Sequence, residues 1–481
     1  MNNFSKWLES DGNILFSNVD IRLIDNSVGF GLFAKENVRM NEVLIKIPEK
    51  FIITAHFVSN IKEYADILKR FYFDSSELLA LFFAFERVYF DYFCKQTGSD
   101  LNNEAVYIVQ WTLGMPNGLK QFLDCRKEFF NEKRNESDLW WKSYLGILPR
   151  NFSTPLFIYY LKENGQTKIK EMASQLPIET KERLLGQLNE LNIFEEKFLK
   201  LIFNSFDGDN ANNEEMSEDS LSFWREICCW AWHIVNTRSI FTENLPFHSL
   251  VNKQKSSDKN QKRYSKKKKS TEEDENFGSS LALVPLIDMI NHSPDAQCVP
   301  IFDKKLNCYK VIAENHSIMA GQQLFFCYGS HNNDQLWIEY GFRLLENPFN
   351  RVNISIDLFI ALAESCGQKI ESTRREILKK ARLPCTIYAT DEIPSFALRK
   401  NCSILLMEKS KLQNWSQYLF SDEENECEDE EITNNLEIKL IGQILIKLEN
   451  AFIARRNDCF IKEICSSWDD QIQILKRMLI K

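Results

Sequence analysis

Two tyrosines that each precede a glycine are the residues of this sequence best suited to reaction chemistry. Tyr328 lies in the segment FCYG at 326–329, and Tyr340 lies in EYGF at 339–342. An aromatic ring attracts a cation over its face, and a phenol hydroxyl can orient a nucleophile. Because a phenol with a pKa of about 10 keeps its proton at neutral pH, neither tyrosine is predicted to be a simple general base. A packed aromatic residue with a satisfied hydroxyl is the structural alternative for each.

A group of polar side chains follows an apolar stretch. Asp288, Asn291 and His292 belong to DMINHSP at 288–294, directly after LALVPLI. Polar side chains at the end of a buried strand often form a site. A lone histidine is more often a core or surface residue, and Asn-His-Ser-Pro also fits a turn.

An arginine ends a predicted helix. Apolar residues at Ile227, Ala231 and Ile234 recur with helical spacing between Phe223 and Arg238. Arg238 falls on the same stripe, so it is predicted to point inward and to need an acceptor or a ligand. A terminal arginine also complements the helix dipole, which is the alternative explanation.

A glycine pair flanks Phe30 in the segment VGFGL at 28–32. Glycine lacks Cβ, so Gly29 and Gly31 would allow the backbone to approach a ligand closely. A tight turn between two strands explains the pair equally well.

The chain around these residues predicts both strands and helices. The pattern of residues 18–54 is typical of short strands with turns. The pattern of residues 308–328 predicts two strands around a turn at Ala320-Gly321. Residues 76–93 have helical periodicity, and the chain after about residue 350 is predicted to be helical. One predicted amphipathic stripe there consists of Ile438, Ile441, Leu445, Leu448 and Phe452. We predict a domain boundary near Asn347-Pro348.

Composition limits the classes of function. The 481 residues are 44% hydrophobic and 26% charged, which indicates a globular chain of two or three domains. A net charge of −9 disfavours direct nucleic-acid binding and suits a basic protein partner. The 13 cysteines contain no Cys-x-x-Cys pair, so we expect reduced thiols and no metal site. No apolar run is long enough to span a membrane, and the N-terminal segment MNNFSKWLESDGN is not predicted to be a secretory signal.

Two polar segments suggest further interpretations. Asp207, Asp209 and Glu218 match three ligand positions of a calcium loop, but Ala211 and Asn212 do not fit the pattern. Residues 252–280 are rich in lysine and then in acid, and are predicted to be a solvated, disordered loop. Its run KRYSKKKK is more often part of such a loop than a nuclear-import signal.

In their order and spacing, these segments resemble the SET-domain protein methyltransferases. The similarity is to the branch that includes the Rubisco large-subunit lysine methyltransferase and the actin-histidine methyltransferase. It extends from about residue 18 to the end, although 89–135 and 252–280 are longer than the family pattern. The segments that carry it are VGFGLFA, LWWKSYLGILP, CWAWHIVNTRSIF, LVPLIDMINHSPDAQ and LFFCYGSHNNDQLWIEYGF.

The resemblance implies an α+β fold. A SET domain would span 18–346, with small β-sheets, a threaded C-terminal segment and a helical insert at about 135–225. An all-α substrate-binding domain would follow at 350–478.

The resemblance also implies S-adenosylmethionine as the cofactor. The turn Gly29-Phe30-Gly31 would lie against its methionine part, and Arg238 would reach its carboxylate. Asn291 and His292 would hold it through main chain and side chain, and Asp288 would support their strand.

Tyr328 would be the catalytic residue and would also wall the cofactor pocket, while Tyr340 would line the channel for the target side chain. The implied activity is methyl transfer to a protein lysine, with histones or another basic protein as substrate. We expect a monomer in the cytoplasm and nucleus. Transfer to a protein histidine remains an alternative, as does a catalytically weak module that only binds cofactor and partners.

Overall fold

The computed structural model describes residues 2–25, 29–96, 140–203, 218–242, 280–314, 316–380, 387–392, 394–420, 427–455 and 462–480. They form two compact units. The first contains Met1–Glu163 and Leu188–Tyr328, and the second contains Asn164–Gln187 and Gly329–Lys481.

The helices, in chain order, are α1 (Asn2–Ser10), α2 (Ala55–Ser59), α3 (Lys62–Leu68), α4 (Ser75–Gln96), α5 (Trp141–Leu145), α6 (Pro155–Tyr160), α7 (Gly165–Gln175), α8 (Ile178–Phe203), α9 (Glu218–Arg238), α10 (Asn333–Tyr340), α11 (Ile356–Ser365), α12 (Ser372–Lys380), α13 (Phe396–Leu406), α14 (Trp415–Phe420), α15 (Cys427–Arg455) and α16 (Lys462–Ile480). The strands are β1 (Val19–Asp25), β2 (Gly29–Ala34), β3 (Val43–Pro48), β4 (Ile53–Thr54), β5 (Ile240–Thr242), β6 (Ser280–Leu283), β7 (Asn291–His292), β8 (Cys298–Asp303), β9 (Cys308–Ala313), β10 (Phe325–Phe326), β11 (Val352–Asn353) and β12 (Tyr388–Ala389).

Small sheets make up the β part of the first unit. Strand β1 pairs antiparallel with β2, β9 lies between β3 and β8, and β6 lies between β4 and β5. Strands β7 and β10 form a short parallel pair. The strands predicted over 18–54 are therefore confirmed as β1 to β4, and the Ala320-Gly321 turn lies between β9 and β10.

Helices α4 and α9 carry much of the core of this unit. In α4 one face, formed by Leu78, Leu81, Phe82 and Phe85, is at most 1% exposed. Leu79 and Phe83 on the other side of the same turns are buried too, as expected where a helix is apolar all round. In α9 the predicted apolar stripe is confirmed, with Ile227, Ala231 and Ile234 at most 2% exposed. The helix begins at Glu218 rather than at Phe223.

The second unit is mainly helical, as predicted for the C-terminal part, with one short β11–β12 pair. The predicted stripe on α15 is wrong at Ile438, which is 54% exposed. The buried apolar residues among the described side chains of α15 are Leu436, Leu440, Ile441 and Ile444. Apolar residues lie on more than one side of this helix, so their spacing alone does not identify the buried face.

The two units divide the chain differently from the predicted domains. Residues 329–346, which we predicted to belong to the SET domain, group with the second unit, as do residues 164–187 from the predicted helical insert. The described part of that insert is helical, from α5 to the start of α9. The domain limits stay a prediction. Asp207, Asp209, most of 89–135 and nearly all of 252–280 lie outside the described residues.

Among the described residues, no helix combines the length and the apolar character needed to cross a bilayer.

Candidate active site

The parallel pairing of β7 with β10 brings His292 and Tyr328 together. Phe325 is opposite Asn291, and Phe326 is opposite His292. The backbone N–H of Tyr328 donates to His292 Nδ1 at 3.1 Å, and the two rings lie 5.1 Å apart. Because Nδ1 accepts a hydrogen bond, a neutral His292 ring carries its proton on Nε2.

The hydroxyl of Tyr328 is held by the main chain. It donates to the carbonyl oxygen of Ile290 at 2.8 Å, and the side chain is half-buried. The donated proton points at Ile290, so the lone pairs of the hydroxyl oxygen are the part that can accept a further group. This agrees with a hydroxyl that orients a reacting group rather than removing a proton.

Arg238 points inward, as the sequence predicts, and its acceptor is Asp288. Nη1 of Arg238 donates to Asp288 Oδ2 at 2.9 Å and to the Asp288 carbonyl oxygen at 3.3 Å. The hydroxyl of Tyr144 in α5 donates to the same Oδ2 at 2.8 Å. The Asp288 side chain is fully buried, while 24% of the Arg238 side chain is exposed.

The electrostatics of this cluster follow from its burial. Burial raises the pKa of the Asp288 carboxyl, although the charge of Arg238 opposes that shift. Burial is the largest single effect on the pKa of Arg238 and lowers it, but the charge and hydrogen bond of Asp288 together with Tyr144 and Tyr328 outweigh burial, so the net pKa is raised. Burial, and then the negative charge of Asp288, raise the pKa of Tyr144 well above its ordinary value. Tyr144 is therefore a neutral donor to a charged pair.

A strained backbone turn presents Asp288. Leu286 has φ +73° and ψ −47°, a sparsely populated conformation that costs a non-glycine residue about 1–3 kcal/mol. It leads into a 3₁₀ helix at Ile287–Met289, in which the N–H of Asp288 donates to the Val284 carbonyl at 3.1 Å. Ile290 and β7 follow directly. The turn therefore determines the positions of the Asp288 carboxylate and of the Ile290 carbonyl, which accepts the Tyr328 hydroxyl.

The predicted close approach at the glycine pair occurs at Gly31, but the chain's own side chains make it. A Cβ on Gly31 would lie 2.7 Å from Gln323 Nε2 and 3.2 Å from Asn291 Nδ2. Asn291 Nδ2 also donates to the Phe30 carbonyl at 3.4 Å. Gly29 is required for a different reason, since its φ is +83°. Gln323 was not predicted from the sequence, because its pairing opposite Phe33 of β2 depends on the fold.

Tyr340 lies in the second unit, at the end of α10. Its ring centroid is 6.0 Å from that of His331 and 6.2 Å from that of Phe342. Burial, and then the charge of Glu339, raise the pKa of Tyr340 to about 12. Gly341 follows in the left-handed conformation, with φ +85°, and ends the helix. The aromatic, partly buried environment of Tyr340 is compatible with its predicted role of lining the channel for the target side chain.

Polar groups of the first unit fit a cofactor that carries a carboxylate. Among the described residues, the hydrogen bonds of Arg238 use Nη1, which leaves Nη2 and Nε on a partly exposed cation. The buried amide nitrogens of Gln323 and Asn236 have no hydrogen-bond partner among those residues either. Such donors suit a carboxylate. Within the same part of the chain, no cluster of three or more His, Cys, Asp or Glu side chains is arranged to hold a metal.

Comparison with known proteins gives the family. A sequence model of the SET domain matches residues 29–329, which include Gly29, Arg238, Asn291 and Tyr328 but not Tyr340. SET domain-containing protein 4 of Mus musculus is 25% identical over 285 residues, or 59% of this chain and 55% of the mouse protein. Ribosomal lysine N-methyltransferase set11 of Schizosaccharomyces pombe is 33% identical over 131 residues, 27% of this chain and 26% of that protein. The chain spans about half the length, or less, of the curated relatives it matches.

A solved structure supports the fold. A crystal structure of the SET domain of LSMT, bound to methyllysine and S-adenosylhomocysteine, matches with a TM-score of 0.50 and 14% identity, covering 99% of this chain and 90% of that one. At this identity the match concerns the fold alone. The sequence model covers more than half of the chain and contains the paired strands β7 and β10. The chain belongs to the SET domain family.

Proposed function

We propose that this chain is an S-adenosylmethionine-dependent protein-lysine N-methyltransferase. The observation that carries the proposal is the parallel β7–β10 pair, which joins His292 to Tyr328 within the SET-domain match. Asn291 in the same pair reaches the glycine turn of β2. Residues from three distant parts of the sequence thus lie around one place in the first unit.

We propose the following cofactor contacts. The exposed part of the Arg238 guanidinium binds the carboxylate, since a planar cation suits that group. Asn291 and His292 hold the cofactor from β7, and the backbone at Gly29-Phe30-Gly31 lies against its methionine part. When bound, S-adenosylmethionine would supply a methyl group on a sulfonium: the amine nitrogen bonds to the methyl carbon as the carbon–sulfur bond breaks, and S-adenosylhomocysteine leaves.

The chain's own residues then align the nucleophile. Methyl transfer requires a neutral amine nitrogen in line with the methyl–sulfur bond, on the side of the methyl group away from sulfur. Alignment of the two reacting groups is a large contribution to the rate that a protein can supply. A lysine, with a pKa of about 10.4, must first lose a proton, and an apolar channel favours that loss by desolvation. Tyr340 supplies an aromatic wall for that channel. The Tyr328 hydroxyl, fixed by Ile290, orients the amine or accepts the polarised methyl group.

The proposed substrate is a lysine on a basic protein or tail, with histones the first candidates by family analogy. The net charge of −9 supports a basic partner. The name of set11, a ribosomal lysine N-methyltransferase, supports lysine as the target. We further propose that the protein acts as a monomer in cytoplasm and nucleus.

Methylation of a cell extract tests this proposal. The purified chain is incubated with the extract and S-adenosylmethionine labelled in its methyl group, and the labelled protein is hydrolysed to amino acids. We expect labelled methyllysine on basic proteins. Labelled methylhistidine without methyllysine would establish the histidine alternative. Cofactor binding without any labelled product would favour the cofactor-binding module.

A further inference from the structure

We propose that Tyr144 is a positioning residue for the cofactor site, acting through Asp288. This inference rests on the proposed function. Tyr144 is fully buried in α5, and its hydroxyl donates to Asp288 Oδ2 at 2.8 Å. Arg238 donates to the same oxygen at 2.9 Å, so two donors from different helices converge on one carboxylate atom.

The convergence determines how Arg238 is presented. The other oxygen of Asp288, Oδ1, is buried and has no hydrogen-bond partner among the described residues. Both side-chain donors among the described residues therefore act on the carboxylate through Oδ2. Removing the Tyr144 hydroxyl would leave the orientation of the carboxylate to Arg238, and the guanidinium would lose the fixed partner that directs its exposed edge.

The same carboxylate is linked to the backbone that carries the site. Asp288 lies in the 3₁₀ turn, two residues before Ile290, and the Ile290 carbonyl accepts the Tyr328 hydroxyl. Arg238 also bonds the Asp288 carbonyl, which ties α9 to this turn. Tyr144 thus affects Asn291 and Tyr328 without touching either the cofactor or the substrate.

The first unit contains a matched control with the same chemistry. The hydroxyl of Tyr160 can donate to Glu195 Oε2 at 2.8 Å or to Asn192 Oδ1 at 3.0 Å, and Arg225 Nε donates to Glu195 Oε1 at 3.2 Å. Tyr160 is 1% exposed. Arg225 precedes Arg238 on α9 by roughly 20 Å, at about 1.5 Å per residue. Tyr160→Phe therefore removes a hydroxyl from a second Tyr–carboxylate–Arg cluster, which lies further towards the N-terminus of α9.

Three measurements on the full chain test the proposal. Calorimetry gives the Kd of S-adenosylmethionine for wild type, Tyr144→Phe and Tyr160→Phe. Amide hydrogen exchange without cofactor follows residues 284–292. The pH dependence of Kd reports the titration of Asp288, which is faced by Tyr144 from α5 and by Arg238 from α9. Tyr328, after β10, acts on Arg238 in turn.

We expect Tyr144→Phe to weaken cofactor binding about five- to tenfold, in the range of a typical net hydrogen bond. Exchange over 284–292 should become faster. Loss of the donor raises the pKa of Asp288, so weakening of cofactor binding at acid pH should begin at a higher pH than in wild type. Tyr160→Phe should change none of these, although both variants should lower Tm.

Other outcomes would overturn the proposal. Tyr144→Phe could lower Tm as Tyr160→Phe does and still keep the wild-type Kd and its pH dependence. That result would show that the Tyr144 hydroxyl contributes to stability only and does not position the cofactor site. An unfolded Tyr144→Phe beside a folded Tyr160→Phe would make the hydroxyl a requirement of the fold instead. If wild type itself fails to bind S-adenosylmethionine, the proposed function fails first and the role of Tyr144 fails with it. The exchange data, taken without cofactor, would still show whether Tyr144 orders the turn.

Discussion

Tyr328 and His292 are joined twice: the backbone N–H of Tyr328 donates to Nδ1 of the histidine at 3.1 Å, and their rings lie 5.1 Å apart. The backbone bond fixes the tautomer of His292, because Nδ1 must accept. It also ties the residue proposed for catalysis to the strand proposed to hold the cofactor. A change at either residue should therefore be measured for binding and for turnover separately.

Tyr328→Phe should reduce turnover about 10²- to 10³-fold, as loss of one positioned polar group typically does. The ring remains, so the cofactor Kd should change little. The Ile290 carbonyl loses its donor, and we expect about 1 kcal/mol lower stability. Single-turnover methyl transfer at saturating cofactor is the measurement, with Tyr340→Phe for comparison. Near-wild-type turnover by Tyr328→Phe would remove this tyrosine from the reaction centre.

Asn291→Ala should abolish the rise in Tm that S-adenosylmethionine causes in the wild-type chain. Ligands that bind the folded state stabilise it by mass action, so the loss of a cofactor contact removes the shift. Asn18→Ala is the control, because Asn18 also bonds a backbone group of the first unit, the N–H of Glu36 at 2.9 Å. A shift that survives in Asn291→Ala would locate the cofactor elsewhere.

Substitutions at the two glycines of β2 should have different consequences. Gly29→Ala forces a Cβ onto a residue with φ +83°, in open space, and should cost about 1–2 kcal/mol of stability. In Gly31→Ala the new Cβ would lie 2.7 Å from Gln323 Nε2, 2.8 Å from Ile24 Cδ1 and 3.2 Å from Asn291 Nδ2. The first two side chains must move, and Asn291 must shift by a few tenths of an ångström. We expect Gly31→Ala to lose more cofactor affinity than Gly29→Ala. Equal cofactor affinities, measured by calorimetry beside urea unfolding, would contradict the proposed role of Asn291.

His233 should make the stability of the chain dependent on pH. Burial lowers the pKa of this residue to about 4, and its Nδ1 donates to the Cys229 carbonyl at 2.7 Å. Because the unfolded state binds the proton more tightly, the stability is fully present above about pH 6.5 and is lost as the pH falls towards 4. Between pH 7 and pH 5 the free energy of unfolding should fall by about 2 kcal/mol from this group.

Urea unfolding of His233→Gln at the two pH values measures that contribution. We expect the pH dependence to shrink in His233→Gln and to persist in His316→Gln, since His316 is exposed. An unchanged pH dependence in His233→Gln would assign the effect to other groups.

Local sequence determined the elements and some of their buried faces. The stripe Ile227, Ala231 and Ile234 in α9 was predictable, because helical spacing places these residues on one side and apolar side chains avoid water. The same reasoning placed Arg238 inward and required an acceptor for it. It did not identify the buried face of α15, where apolar residues lie on several sides and Ile438 is exposed.

Tertiary structure decided how the candidate site is connected. Tyr144 meets Asp288 across 144 positions of sequence, and Gln323 covers Gly31 from a segment paired with β2. Periodicity describes which side of an element is apolar, but it contains no information on which distant element covers that side. The acceptor of Arg238, the tautomer of His292 and the orientation of the Tyr328 hydroxyl each depend on such a long-range pairing. They follow from the folded chain, because hydrogen bonds in a buried site are set by which groups packing brings within about 3 Å.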